Sequence, residues 1–312
     1  MSATATTGRK RKGTAPRGVP YLFLAPAIIL FTLFLLLPIG YAIYLSFRQI
    51  KVSGLGLGKG SRTEIWAGLD NYASALGDPE LLGSALRVLA YGLVLLPIML
   101  GLALLFALLL DAPRVRFGRF AKLAIFLPYA VPGVIASMLW GFLYLPAVSP
   151  FNDVIGALGL PEPNMLGGGS VFFAIVNIAV WGGVGFNMIV LFTSLRAVPG
   201  EIYESASIDG ASDLQIALRI KIPLLMPSLI MTTVFSLIAT LQVFTEPLTI
   251  RSLTNSISST WTPLMKVYRD AFSQNDIYSA AASSVVIAVV TLVLSFGFLR
   301  LVSRQAFGGE NR

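Results

Sequence analysis

The 312-residue chain contains no cysteine and no histidine. That removes disulfides, thiol nucleophiles, Cys/His zinc sites and every histidine-based triad, and leaves the redox compartment unreadable. Charge is also scarce. Asp, Glu, Lys and Arg make up 12% of residues, against roughly 25% in soluble domains. Apolar residues fill the gap, at 55% of the chain with a mean hydropathy of +0.78. An ordinary soluble enzyme is excluded. The 23 Lys and Arg exceed the 15 Asp and Glu by eight. No aromatic-interleaved basic domain accompanies that surplus, so it reads as membrane topology and gives no reason to expect nucleic acid.

A bilayer-crossing helix needs about 20 mostly apolar residues. Six stretches qualify: 20–46, 88–110, 123–145, 171–193, 228–245 and 279–299, none with an Asp, Glu, Lys or Arg. Backbone facing lipid must satisfy its own hydrogen bonds, so each is expected to be helical. Pro26, Pro38, Pro97, Pro128 and Pro132 lie inside them and predict kinks. Arg9, Lys10, Arg11, Lys12 and Arg17 precede the first stretch as in a signal peptide. The run is too long for one and lacks a small-x-small cleavage site, so it is read as an uncleaved first span. The fold class expected is an all-α integral membrane protein with six transmembrane helices. Its parts are a basic tail (1–18), a membrane domain (19–305) and a short tail (306–312).

With both termini inside, fifteen of the 23 Lys and Arg fall on the cytoplasmic side and eight outside. This bias fits cytoplasmic termini. Residues 47–83, 146–170 and 246–278 then lie outside, and 194–227 lie inside. In the inside segment Pro199 suits a helix start, with Glu201 and Glu204 in the first turns. Gly210 suits the left-handed residue past a helix end. Ser212 and Gln215 have capping-box spacing, and Leu214, Ala217, Leu218, Ile222 and Leu225 recur with helical period. Pro223 and Pro227 are expected to break or kink the chain before the fifth span. The result is a helix–turn–helix at the membrane surface. Periodicity alone fits an interfacial connector equally well.

Glu204, Ser205 and Ala206, then Gly210, then Ile220, Ile222 and Pro223 have the spacing of E-A-A-x3-G-x9-I-x-L-P. The segment resembles the coupling loop of importer-type ABC permeases, with Ser205 for the first Ala and Ile222 for Leu as departures. Ile208–Ser212, which includes Asp209, is also family-like. The resemblance implies a type I (MetI-like) permease fold and a coupling role for Glu204, Ser205, Ala206, Asp209, Gly210, Ile220 and Pro223. It implies four kinds of partner: a second permease subunit, a cytoplasmic ATPase dimer that carries the ATP and Mg, an extracytoplasmic solute-binding protein, and the lipid of a bacterial plasma membrane. No cofactor is expected on this chain and no covalent reaction.

Softer likenesses to carbohydrate-type permeases run through 24–47, Gly68–Tyr72, 181–199 and 271–284. They favour a sugar or related polar solute. GLGLGKG at 54–60 fails as a phosphate loop, because Gly60 follows Lys59 and Ser53 stands where the first Gly belongs. Charge-free spans argue against an ion-coupled carrier and suit a neutral polar solute. Sugars need hydrogen bonds and aromatic faces. The candidates for the path are Thr233, Ser236, Thr240, Gln242 and Glu246 on or near the fifth span, Trp181 and Asn187 on the fourth, and Tyr129 and Trp140 on the third. Gly182, Gly183 and Gly185 suit close helix packing. The rival readings are a permease for a non-sugar solute and a secondary carrier or channel without an ATPase. An intramembrane enzyme is remote, with no His or Cys and no charge in the spans.

Overall fold

The computed structural model describes residues 19–52, 62–112 and 115–307; side chains 19, 20 and 303–307 fall outside that description. The basic tail, the glycine-rich stretch 54–60 and residues 308–312 lie outside the described residues. The chain starts with α1 (Val19–Phe31), which continues through the π-helical turn Thr32–Leu36 into α2 (Leu37–Ser46). Pro38 sits at the first turn of α2, just past the wider π-turn, where its missing N–H is tolerated. Side chains along α1 face outward all round. That suits lipid, where apolar surface incurs no penalty.

Beyond α2, β1 (Arg48–Val52) pairs antiparallel with β2 (Arg62–Trp66). Gly68, at φ +57°, turns the chain into α3 (Asp70–Gly77). The GLDNY segment has a clear physical task here. Asn71 Nδ2 donates to the carbonyls of Ser46 and Arg48, both at 2.8 Å, and the Tyr72 hydroxyl meets Ser46 Oγ at 2.5 Å. Together they satisfy and pin the end of α2.

α4 (Pro79–Asp111) is capped by Asp78, which accepts from the Glu80 amide at 2.8 Å. Next come α5 (Gly118–Phe126), a 3-10 turn Leu127–Ala130, α6 (Gly133–Leu143), α7 (Pro150–Ala157) and α8 (Ser170–Arg196). The core is the long contact between α4 and α8. Val88, Tyr91, Leu95, Met99, Ala103 and Ala107 pack at intervals of three and four residues against Ala174, Ile178, Met188, Leu191 and Leu195. The fully buried Ala103, Ala107 and Ala174 let the backbones approach. Gly185 does the same on the other side of α8. A Cβ there would lie 2.7 Å from the Phe126 Cα and collide with the Ile125 carbonyl. The expectation for Gly182 differs from the outcome, because a Cβ there meets only open space.

The third apolar stretch is broken. Its two pieces, Gly118–Ala130 and Gly133–Leu143, meet at 98°. Val131 precedes Pro132 and is extended (φ −80°, ψ 126°), because proline disfavours the α region in the residue before it. The predicted kink is therefore a full break.

After α8 come α9 (Glu201–Ile208), α10 (Asp213–Ile216), the π-turn Ala217–Lys221, α11 (Ile222–Leu241) and α12 (Thr245–Ile250). The break expected at Pro223 and Pro227 does not occur: α10, the π-turn and α11 follow one another without interruption as far as Leu241, and residues 213–253 together are long and apolar enough for a candidate span. The π-turn brings the Ile222 amide to the Ala217 carbonyl just before Pro223, so Pro223 enters at the first turn of α11, and Pro227 lies inside that helix without ending it. The same turn shifts the helical phase. Ile216 and Leu225 are buried, whereas Leu214 and Leu218 of the expected apolar face are exposed. After the interruption at 242–244 the helix resumes as α12, whose second residue is Glu246. The chain ends with α13 (Pro263–Tyr268), the π-turn Arg269–Ser273 and α14 (Ile277–Phe307). In all, five described helices are long and apolar enough to cross a membrane, and the bent pair adds a sixth.

An ion cluster clamps α13 to the start of α4. Lys266, 4% exposed, bonds Asp270 at 2.5 Å and Asp78 at 2.8 Å, while Arg269 bonds Glu80 at 2.7 Å and Asp270 at 2.8 Å. Burial works against both charges, yet hydrogen bonding to Lys266 and to the Glu80 amide holds the Asp78 carboxyl below its ordinary range. Burial likewise opposes Lys266, and its bonds to Asp270 and Asp78 raise it above the ordinary lysine value. Asp78 contributes stability above its unfolded pKa and loses it as pH falls through the lowered folded value. Lys266 contributes below its unfolded pKa and loses it as pH rises through the raised one. Unfolding temperature in detergent should therefore plateau across neutral pH and fall at both extremes. Lys266→Met leaves Arg269 as the only cation on the buried Asp270 and removes the partner of Asp78, and should cost about 3 kcal/mol, read as a lowered unfolding temperature. Gly185→Val should also destabilise, by about 1–3 kcal/mol from overpacking.

Candidate functional site

In lipid, non-helical backbone survives only where protein or a cavity covers it. The described rods are interrupted at membrane depth in two places, Leu127–Pro132 and Gln242–Phe244. Both interruptions line one cavity of about 560 Å³ between α4, α6, α8 and α11. Pro128, Tyr129 and Val131 come from the first, Gln242, Val243 and Phe244 from the second.

The walls combine aromatic faces with hydrogen-bonding groups. The Tyr129 and Phe186 rings stack with centroids 4.9 Å apart and planes 23° off parallel. Phe235 and Phe244 add two more rings. Asn187 donates through Nδ2 to the Gly183 carbonyl at 3.0 Å and accepts from Ser236 Oγ at 3.3 Å, which ties α8 to α11. Thr240 Oγ1 donates to the Ser236 carbonyl at 2.7 Å. Glu246 and Gln242 line the outer part, and Gly182 opens the α8 wall.

Of the sequence candidates, Tyr129, Asn187, Ser236, Thr240, Gln242 and Glu246 meet at this cavity. Three do not. Thr233 bonds back to the Leu229 carbonyl at 2.6 Å and faces an apolar groove between α4, α11 and α14. Trp140 and Trp181 pack edge to face at 5.9 Å, with Tyr144 and Phe151 beside Trp140. Phe186, Phe235, Phe244, Tyr91 and Met99 were not singled out from sequence. In an apolar chain their apolar side chains carry no signal that separates a cavity wall from core.

The inner loop is built from local rules. At the end of α9 the Ala211 amide bonds the Ala206 carbonyl at 3.0 Å, and the Gly210 amide bonds Ser207 at 3.1 Å. This is a Schellman motif, with Gly210 at φ +85°. Ser212 and Gln215 then form both bonds of a capping box, at 2.8 and 3.3 Å. Ser205 Oγ bonds the Glu201 carbonyl at 2.8 Å, and Ala206 is half-buried. Glu204, Asp209 and Gly210 are exposed, as are Ile202 and Ile208. Ile220 is half-buried in the π-turn, and Pro223 is exposed just after it.

Asp111 anchors this loop to the bundle. Its carboxylate bonds Lys221 Nζ at 2.5 Å and Arg196 Nε at 3.1 Å, joining the inner ends of α4, α8 and the π-turn before α11. Lys221 Nζ also sits 4.9 Å from the centre of the Tyr203 ring on α9. Burial and the Asp111 charge raise the Tyr203 hydroxyl above its ordinary pKa. Sequence inspection missed Asp111 and Tyr203, whose partners lie far along the chain.

Residues 79–307 match the family model of the binding-protein-dependent transport system inner membrane component. The chain belongs to this family. The match begins at the first residue of α4 and takes in the cavity and the inner loop. The sn-glycerol-3-phosphate transport system permease protein UgpA of Agrobacterium fabrum is 30% identical over 298 residues, covering 93% of this chain and 97% of that protein. Its namesake from Salmonella typhimurium is 27% identical over 293 residues, with 93% and 95% covered. The fold resembles a chain of a bacterial ABC transporter involved in import of the acidic polysaccharide alginate. The TM-score is 0.79 at 21% identity, with 92% of this chain and 95% of that one covered. A second structure of a bacterial alginate ABC transporter, in complex with an alginate pentasaccharide-bound periplasmic protein, gives 0.76 at 22% identity over 92% and 94%.

This inner membrane component is thus a permease subunit of an ABC importer with the type I permease fold. Its anchoring charge makes a direct prediction. Asp111→Asn leaves two cations facing a neutral amide, and with the half-buried Lys221 unpaired it should cost about 3 kcal/mol. The expected readouts are a lower unfolding temperature in detergent and faster proteolytic cleavage of the 199–211 loop.

Proposed function

We propose that this permease carries a carbohydrate or related polar solute inward by alternating access, paired with a second, similar permease subunit. An extracytoplasmic binding protein delivers the solute to the outer face. A cytoplasmic ATPase dimer, which holds the ATP and Mg, drives the cycle from inside. Both termini lie in the cytoplasm, as the positive-inside bias of the loops supports. The names of the relatives, for sn-glycerol-3-phosphate and alginate, support a carbohydrate-like solute.

One observation carries the reading: a single rod begins at the Ser212 cap in the inner loop and ends in the cavity wall. A push on the loop has a stiff path to Ser236, Thr240 and Gln242. In this reading α9 and its Schellman turn dock on the ATPase. Glu204 and Asp209 offer charge-assisted contacts, and exposed Ile202 and Ile208 offer apolar ones. Ser205 and Ala206 keep the docking face small, Gly210 supplies the turn, and Ile220 with Pro223 forms the root of the lever. Tyr129, Asn187, Ser236, Thr240, Gln242 and Glu246 line the solute path. Trp140 and Trp181 brace its wall, and Thr233 packs behind it.

Solute-stimulated ATP hydrolysis by the purified complex tests this. Gly210→Asp strains a backbone at positive φ by about 1 kcal/mol and sets a new charge in the docking face. The variant should reach the membrane and co-purify with the second permease, yet lose most of the solute-stimulated hydrolysis. Unchanged stimulation would overturn the coupling role of the loop, and uptake that survives loss of the ATPase would overturn the importer cycle.

A further inference from the structure

We infer that the solute is an uncharged, hydroxyl-rich carbohydrate, and that Glu246 both anchors it and turns anions away. The inference rests on the importer reading above and names the solute class for the same cavity. The relatives are named for solutes that are anions, so the point discriminates.

Among the described residues the cavity lining holds no Lys and no Arg, and Glu246 is its one carboxylate. Phosphates and uronates are held by charged donors, Arg above all. The cations of the outer half are engaged or elsewhere. Arg87 donates to the Trp261 carbonyl at 2.8 Å and lies over that ring, while Lys266 and Arg269 belong to the outer ion cluster. Arg251 lines a separate hollow. On the inner side Lys221 and Arg196 are bound to Asp111. The amino end of α6 at Gly133 reaches the cavity, but a helix terminus supplies only about half a positive charge, less than a phosphate or uronate carries.

The Glu246 carboxylate lines the cavity with no ion-pair partner among the described residues. A half-buried carboxylate with free acceptor positions matches the adjacent hydroxyl donors of a sugar ring. The stacked Tyr129–Phe186 pair provides a flat apolar face for the C–H side of the same ring. Gln242 both donates and accepts. The volume of about 560 Å³ lies within the roughly 300–1,000 Å³ of sites that take small organic ligands. An anion entering this space would meet the carboxylate at low dielectric with no countercharge.

The test uses the whole importer with its binding protein, reconstituted in proteoliposomes with ATP inside. Uptake is measured for neutral di- and trisaccharides, for their uronic-acid counterparts, and for sugar phosphates and sn-glycerol-3-phosphate. ATP-driven uptake confined to neutral members is the expected result. Glu246→Gln should raise the half-saturating concentration of the transported sugar about tenfold, and Glu246→Asp, which keeps the charge, should raise it less. ATP-driven uptake of a phosphate or uronate in preference to the neutral sugars overturns the inference and leaves the importer reading standing. So does an unchanged half-saturating concentration in Glu246→Gln. Entry of neutral sugars alone without ATP supports the charge selection and overturns the importer reading.

Discussion

Every backbone N–H and C=O inside a bilayer must find a partner within the protein. That constraint forces the apolar stretches into helices, and it dictates where they may stop. The chain has several prolines within its spans. Two follow π-turns, at Leu37–Pro38 and at Ile222–Pro223, where the rod continues. Pro26, Pro97 and Pro227 lie inside helices that run on through them, whereas at Pro132 the helix ends. That break and the proline-free interruption at Gln242–Phe244 face the same cavity. Irregular backbone and solute space therefore coincide for one physical reason: a cavity wall is the place where such backbone escapes lipid.

Around that cavity the structure is clamped at both ends by charge. The Lys266–Asp78–Asp270 cluster holds the end where α4 begins, and Asp111 with Lys221 and Arg196 holds the end where α4 stops. Between the clamps the α4–α8 contact is apolar and closely packed. The α11 wall is fixed to it through Asn187–Ser236 and Ser228–Ser194 hydrogen bonds. Polar links of this kind in a low-dielectric interior give alternative arrangements discrete energies, which is what a permease that opens to one side at a time requires.

The inner loop was the most legible part of the sequence. Its Schellman turn at Gly210 and its capping box at Ser212 involve residues within a few positions of one another, so spacing alone predicts them. The spans were legible because length and hydropathy suffice. The kink expected in the third span is a full break at Pro132, and the break or kink expected at Pro223 and Pro227 is a π-turn through which the helix continues. A proline in sequence gives the loss of a hydrogen bond but not the fate of the helix, which depends on whether a π-turn or a covered break is available.

Composition, periodicity and local spacing determined by themselves that the chain is a helical membrane protein with a capped helical hairpin between its fourth and fifth spans. They are short-range or averaged properties, and neither needs a partner far along the chain. Tertiary structure alone decided which polar side chains converge. Tyr129, Asn187 and Glu246 are separated by 58 and 59 positions and meet only because the 98° bend and the interrupted fifth rod bring their walls together. In a chain that is apolar throughout, a residue facing a cavity and a residue facing lipid have the same sequence signature, and only packing tells them apart.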